Sequence, residues 1–64
     1  MLGYQARVKE EYEQLMLKIN VLSKFLESEK FSTVNAVEQE LLLSQFTSMK
    51  SYADCLEKRI AQFK

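Results

Sequence analysis

The stretch 42-LLSQFTSMKSYADCLEKRIAQF-63 places apolar residues at Leu42, Phe46, Met49, Ala53, Leu56, Ile60 and Phe63, in steps that alternate between four and three. At 100° per residue such steps return to one side of an α-helix, and no strand pattern of strict alternation competes with them. Upstream, Val8, Tyr12, Leu15, Ile19, Leu22 and Leu26 repeat the pattern. The chain therefore reads as all-α, two amphipathic helices folded on each other. Helix one is expected from about residue 4 to 28, a bend over 29–34 and helix two from about 35 to 62, within a single unit spanning 1–64. The chain has no Pro and one Gly, at position 3, so nothing interrupts either helix. Asn35 followed by Glu38 forms a capping-box-like pair: the Asn side chain accepts an early amide and the Glu reaches back to the Asn amide.

A short connection makes the helices antiparallel neighbours. With the bend centred near Phe31 and Ser32, facing residues have indices that sum to about 64, which pairs Val8 with Leu56, Leu15 with Met49 and Leu22 with Leu42. Phe31 and Val34 would close the bend, with Leu26 and Val37 or Leu41 beneath them.

Sixty-four residues bury only about 60% of the surface that the unfolded chain exposes. Small domains compensate with disulfides, a metal or self-association. A single cysteine, Cys55, makes no internal bridge, and a chain without His offers no plausible zinc set. No metal and no cofactor is expected. Association remains, and the apolar residues left over from the seam supply a surface for it: Met16, Leu17, Val21 and Phe25 on helix one, Leu41 and Leu43 on helix two. The expectation is a hairpin that assembles into a homo-oligomeric helical bundle, a dimer with four helices being the simplest form.

Nine basic residues balance nine acidic ones, which argues against a binder of duplex DNA or RNA, since such proteins rely on a basic surface. A small anionic ligand needs only a few Arg or Lys around a pocket. No apolar run reaches the roughly 20 residues of a membrane span, and the N-terminus lacks the pattern of a secretory signal. A free thiol fits a reducing cytosol.

Gln45, Tyr52 and Arg59 recur at every seventh position along the edge of the helix-two stripe, and the index sum brings Arg7, Glu11 and Tyr12 near Tyr52 and Arg59. Guanidiniums hold phosphate in bidentate fashion and Tyr rings stack on bases, so this group suits a nucleotide. The simpler reading of Glu11 with Arg7 or Arg59 is an ion pair that sets helix register, and of Tyr12 and Tyr52 that they are seam residues with wet hydroxyls. Gln45 at the core edge needs a partner, which a symmetry mate could supply. Cys55 has no His to activate it and reads as a small buried hydrophobe. Nothing in the chain suggests catalysis.

The combination of Phe25-Leu26-x-Ser28-x-x-Phe31 with Gln45-x3-Met49-x2-Tyr52-x3-Leu56-x2-Arg59-Ile60 resembles a family of very short helical-hairpin proteins of crAss-like and other tailed bacteriophages. The resemblance covers nearly the whole chain and implies a phage accessory protein of the bacterial host cytoplasm. In architecture it is similar to the anti-CBASS and anti-Thoeris sponges, oligomeric helical hairpins that sequester cyclic nucleotide or ADP-ribose-type immune signals without cleaving them. Taken with the residues, this implies a nucleotide sponge in which Arg7 and Arg59 contact phosphates, Tyr12 and Tyr52 stack on bases, and Glu11 and Gln45 orient them. A helical module that docks a host protein through Met16, Leu17, Val21 and Phe25 is the alternative, and a purely structural bundle a third.

Overall fold

The computed structural model describes residues 3–63. It is all-helical, with three helices in chain order: α1 (Gly3–Leu26), α2 (Glu29–Ser32) and α3 (Ala36–Ala61). α2 lies where the sequence suggested only a bend. α1 stops at Leu26 because Ser28 takes an extended backbone, φ −84° and ψ 160°, while its hydroxyl donates to the Phe25 carbonyl at 2.6 Å. That local bond satisfies a carbonyl the helix leaves open at its end. Glu29 then begins a single turn, and Ser32 and Thr33 close it by donating to the carbonyls of Glu29 and Lys30 at 2.6 and 2.7 Å.

α3 starts at its expected cap. Asn35 is extended, and its side-chain oxygen accepts from the Glu38 amide at 2.9 Å. The reciprocal bond from the Glu38 side chain is not formed among the described residues; its carboxylate instead adds a favourable charge to the first turn. A residue not singled out by pattern, Gln39, does more at this corner. Its Nε2 donates to the carbonyls of Phe31 at 3.1 Å and Val34 at 2.7 Å, which fastens the first turn of α3 to the end of α2.

From there α3 returns along α1. Tyr4, in the first turn of α1, meets Phe63, just past the end of α3, edge to face with centroids 5.9 Å apart. Phe25 and Phe31 make a similar contact at the other end, at 6.1 Å. The result is a rod of 46 × 15 × 14 Å. Its core is Val8, Leu15, Ile19, Ala53 and Leu56, with Tyr12, Phe46, Met49, Ile60 and Phe63 packed against it. Every one of these lies on the two apolar stripes, so the helical period alone decides what is buried. Leu56 is the most enclosed, with 1% of its surface exposed.

Two details of the expected packing are corrected. Val37 and Leu41 do not lie beneath the bend; both are exposed. Cys55 is exposed too, because it directly precedes Leu56 and one residue turns it about 100° away from the seam.

Candidate functional site

Each long helix carries, one position before its seam, a second stripe with the same period. On α1 it is Arg7, Glu11, Gln14, Lys18, Val21 and Phe25; on α3 it includes Leu41, Gln45, Tyr52 and Arg59. Because the helices run in opposite directions, these two stripes emerge on the same side of the rod, where Arg7, Glu11, Gln14, Lys18, Val21 and Phe25 of the one and Gln45 and Tyr52 of the other border one groove. Positions one residue after the seam, such as Met16, Asn20 and Ser23 on α1 and Lys50, Asp54 and Glu57 on α3, border a second groove on the other side.

The first groove has two adjoining compartments. The one nearer α2, of about 400 Å³, is an apolar shelf formed by Leu17, Val21, Leu22, Phe25 and Met49 and rimmed by Gln14, Lys18 and Gln45. The other, of about 500 Å³, is lined by Arg7, Glu10, Glu11, Gln14, Leu15, Lys18 and Tyr52. Gln14 and Lys18 belong to both. On the shelf, Leu22, Phe25 and Met49 are half-buried, while Leu17 and Val21 stand outward with 59% and 71% of their surface exposed.

Of the expected site residues, the structure brings Arg7, Glu11 and Tyr52 together in the second compartment and sets Gln45 on the rim of the shelf. Gln45 points its amide at the Met49 sulfur, 3.8 Å away, which leaves its polar capacity largely unused. Tyr12 is not with them. It lies on the seam and lines the second groove, beside Phe46, Ala53 and Glu57. Arg59 is exposed and borders neither compartment of the first groove. The surplus apolar strip is likewise divided: Leu17, Val21 and Phe25 face the first groove, Met16 the second. Consecutive residues on a helix diverge by about 100°, so Met16 and Leu17 cannot share a face.

The expected ion pair of Glu11 with Arg7 or Arg59 is not formed. Among the described residues the one salt bridge joins Lys58 to Asp54, at 3.0 Å on the exposed side of α3. The hydrogen bond and the charge of Asp54 both raise the pKa of Lys58. In the second groove Lys50 is already engaged, its ammonium 5.2 Å from the centre of the Phe46 ring. Among the described residues Lys18 has no such partner. One turn on either side of it stand Gln14, Leu15, Val21 and Leu22, none of them acidic, whereas Arg7 has Glu10 and Glu11 one turn away. Gln14 and Lys18 escaped the sequence reading, although their signal is there: they continue the Arg7 and Glu11 stripe toward the apolar shelf.

No group of three or more His, Cys, Asp and Glu among the described residues is arranged to hold a metal ion. No helix there is long and apolar enough to cross a membrane. What the first groove offers is binding chemistry: an apolar floor, a tyrosine, two cations, two carboxylates and two amides.

Compared with known families, residues 2–62 match the sequence profile of Sequestin. The chain belongs to the Sequestin family. It is also 88% identical over 64 residues to an uncharacterized 7.5 kDa protein of Enterobacteria phage T4 from the denB–rIIB intergenic region, with all of both chains covered. A phage protein of the same length is thus a relative of this chain, which supports a small phage protein family. No solved structure matches the chain.

Proposed function

We propose that this member of the Sequestin family is a phage accessory protein that sequesters a nucleotide immune signal, of the cyclic oligonucleotide or cyclic ADP-ribose type, as a non-catalytic oligomer in the cytoplasm of the infected bacterium. The observation that carries this reading is the first groove, where Tyr52, Arg7 and Lys18 adjoin an apolar shelf. Aromatic faces stack on bases and cations meet phosphates, so a nucleotide satisfies both halves of such a surface. The family's name supports sequestration, and the relative in phage T4 supports a role during infection.

Assembly completes the reading. The groove is open to solvent, and a lone rod leaves Met16, Leu17, Val21, Leu41 and Leu43 exposed, with Phe25 half-buried among them. Apolar surface of this kind is covered when copies of the antiparallel hairpin pack into a bundle. A site beside such an interface presents each Arg, Lys and Tyr more than once by symmetry. In this reading Arg7 contacts phosphate, Tyr52 stacks on a base, and Glu11 and Gln45 orient it. Tyr12 and Arg59, which border other surfaces of the single chain, join the site across the interface between copies.

Calorimetric titration with cyclic di- and trinucleotides and cyclic ADP-ribose isomers tests the reading, combined with recovery of the ligand after heating the complex. Binding followed by release of unaltered ligand is expected; absence of binding across the panel would sink the idea. Light scattering of the eluted protein should give a mass of at least two chains, and Leu17→Asp should reduce it to one while circular dichroism remains helical. The outward position of Leu17 and Val21 favours one other reading, a helix face that docks a host protein. That reading predicts a stoichiometric partner recovered from bacterial lysate and lost with Val21→Asp in a chain that stays oligomeric.

A further inference from the structure

The side of α3 turned away from α1 carries a pattern of its own. Val37, Leu41, Ser44, Ser48, Ser51 and Cys55 follow one another in steps that alternate between four and three, and all six are exposed. Beside this stripe, on the flank toward the first groove, Glu38, Gln45, Tyr52 and Arg59 recur at every seventh position, exposed as well. A small or apolar stripe with a polar margin is the layout of a helix seam. The molecule leaves 5113 Å² accessible, whereas a folded chain of 7.5 kDa is expected to expose about 4,250 Å². The excess is close to the roughly 800 Å² that each partner of a standard interface buries.

We infer that α3 pairs with α3 of a second copy, antiparallel and centred on Ser48, about a two-fold axis normal to the rod. This rests on the assembly in the reading above and gives it a geometry. The charges select the direction. In an antiparallel pair, residues equally far from Ser48, to within one position, meet across the axis: Leu41 with Cys55, Ser44 with Ser51, Glu38 with Arg59 and Gln45 with Tyr52. Each flank contact is then complementary, a carboxylate with a guanidinium and an amide with a phenol. A parallel pair would set each residue beside its own copy, Glu38 on Glu38 and Arg59 on Arg59, which is repulsive. Gln45, whose amide meets the Met49 sulfur within its own chain, gains the Tyr52 hydroxyl of the second copy. The serines bury little apolar area; their small size lets the helices approach, while burial comes from Val37, Leu41 and the strip of α1. That strip belongs to the same contact, since the hairpin index sum of about 64 sets Ser48 level with Met16 and Leu17, and so sets both Leu17 side chains level with the axis. The two grooves then run head to tail. The compartment of one copy that Arg7, Glu11 and Tyr52 line lies beside the shelf of Val21 and Phe25 of the other, so each groove is completed by the opposite half of its partner.

Cysteine cross-linking of the full chain tests this. Within one chain, residues 41 and 55 are about 21 Å apart along the helix, far beyond the reach of a disulfide, so a bridge between them joins two copies. Under mild oxidation Leu41→Cys, with Cys55 retained, should give a covalent dimer whose tryptic digest contains the 41–55 bridge, and the parent, with Cys55 alone, should stay unlinked. Arg59→Glu should weaken dimerisation about fivefold in analytical ultracentrifugation, and adding Glu38→Lys should restore it. Circular dichroism of each variant establishes that the helices are kept. A Cys55–Cys55 bridge in the parent, a dimeric Leu41→Cys variant without the 41–55 bridge, or no restoration by Glu38→Lys would overturn the antiparallel pairing while assembly and sequestration stand. A parent that light scattering shows to be a single chain would overturn the pairing and the oligomeric part of the reading together.

Discussion

The two grooves that flank the seam have the same origin and opposite character. Each is bordered by residues one position off the apolar stripe, and each contains lysine, carboxylate and aromatic groups. In the second groove the lysine is spent within the chain: Lys50 lies over Phe46, and Asp54 is held by Lys58. In the first, Lys18 faces the groove with no ion pair among the described residues, and the tyrosine beside Arg7 stands half exposed. Composition does not separate the two sides of this rod. What separates them is whether the lysine has already found a partner at helical spacing.

The comparison can be broken at several levels. The largest effect is expected from Leu56→Ala, which opens a hole in the seam between both grooves; a large-to-small change at so enclosed a site costs about 2–5 kcal/mol. In a chain with a core this small, thermal denaturation followed by circular dichroism should show a transition displaced far to lower temperature. Next comes the contrast between the lysines. Lys50→Gln should leave nucleotide affinity within error in the same titration in which Lys18→Gln loses about tenfold; equal losses would erase the distinction between the grooves. Asn35→Ala removes the cap that starts α3 and should cost about 1 kcal/mol in urea denaturation, with both grooves affected alike. The smallest effect belongs to the exposed pair on α3. Asp54→Asn should barely move the melting temperature at neutral pH, because a solvent-screened pair contributes little. Its contribution has a definite sign with pH. The folded pKa of Lys58 is raised, so the stabilisation is present below the lysine's unfolded value and fades as pH climbs through the folded one. A melting temperature compared between parent and variant from neutral to strongly alkaline pH should show the small gap closing at the top of that range.

How much of this was legible beforehand follows from which forces repeat along a chain. Burial repeats: Val8 through Leu26 and Leu42 through Phe63 announce the core because each obeys one period, and the structure buries or half-buries all of them. The cap at Asn35 was equally plain, being a local bond between neighbours in sequence. The turn at Glu29–Ser32 was not, since it depends on serine and threonine hydroxyls choosing nearby carbonyls over water. Nor was the clasp of Gln39, whose two acceptors become available only once α2 has formed. For the candidate site, the index sum sets Arg7, Glu11 and Tyr52 near one another, and the three line one compartment. It could not separate the two sides of the rod, because an index sum measures distance along the axis and carries no angle. An index sum therefore sets Tyr12 near Tyr52 although the two border different grooves, and the apolar strip joins Met16 to Leu17 across a turn of about 100°.

The edge-to-face contacts at the two ends, Tyr4 with Phe63 and Phe25 with Phe31, have a consequence for register. A seam built on a repeating step is nearly degenerate: sliding one helix past the other by two turns replaces most apolar neighbours with equivalent ones. Aromatic pairs do not repeat in this chain, and each contributes about 0.5–1.5 kcal/mol beyond its buried area. Tyr4 and Phe63 meet in one alignment of α1 and α3, while Phe25 and Phe31 hold α2 against the end of α1. The ruling of α3 against α1 is thereby fixed like a vernier, and with it the place of Tyr52 in the compartment that Arg7 and Glu11 also line.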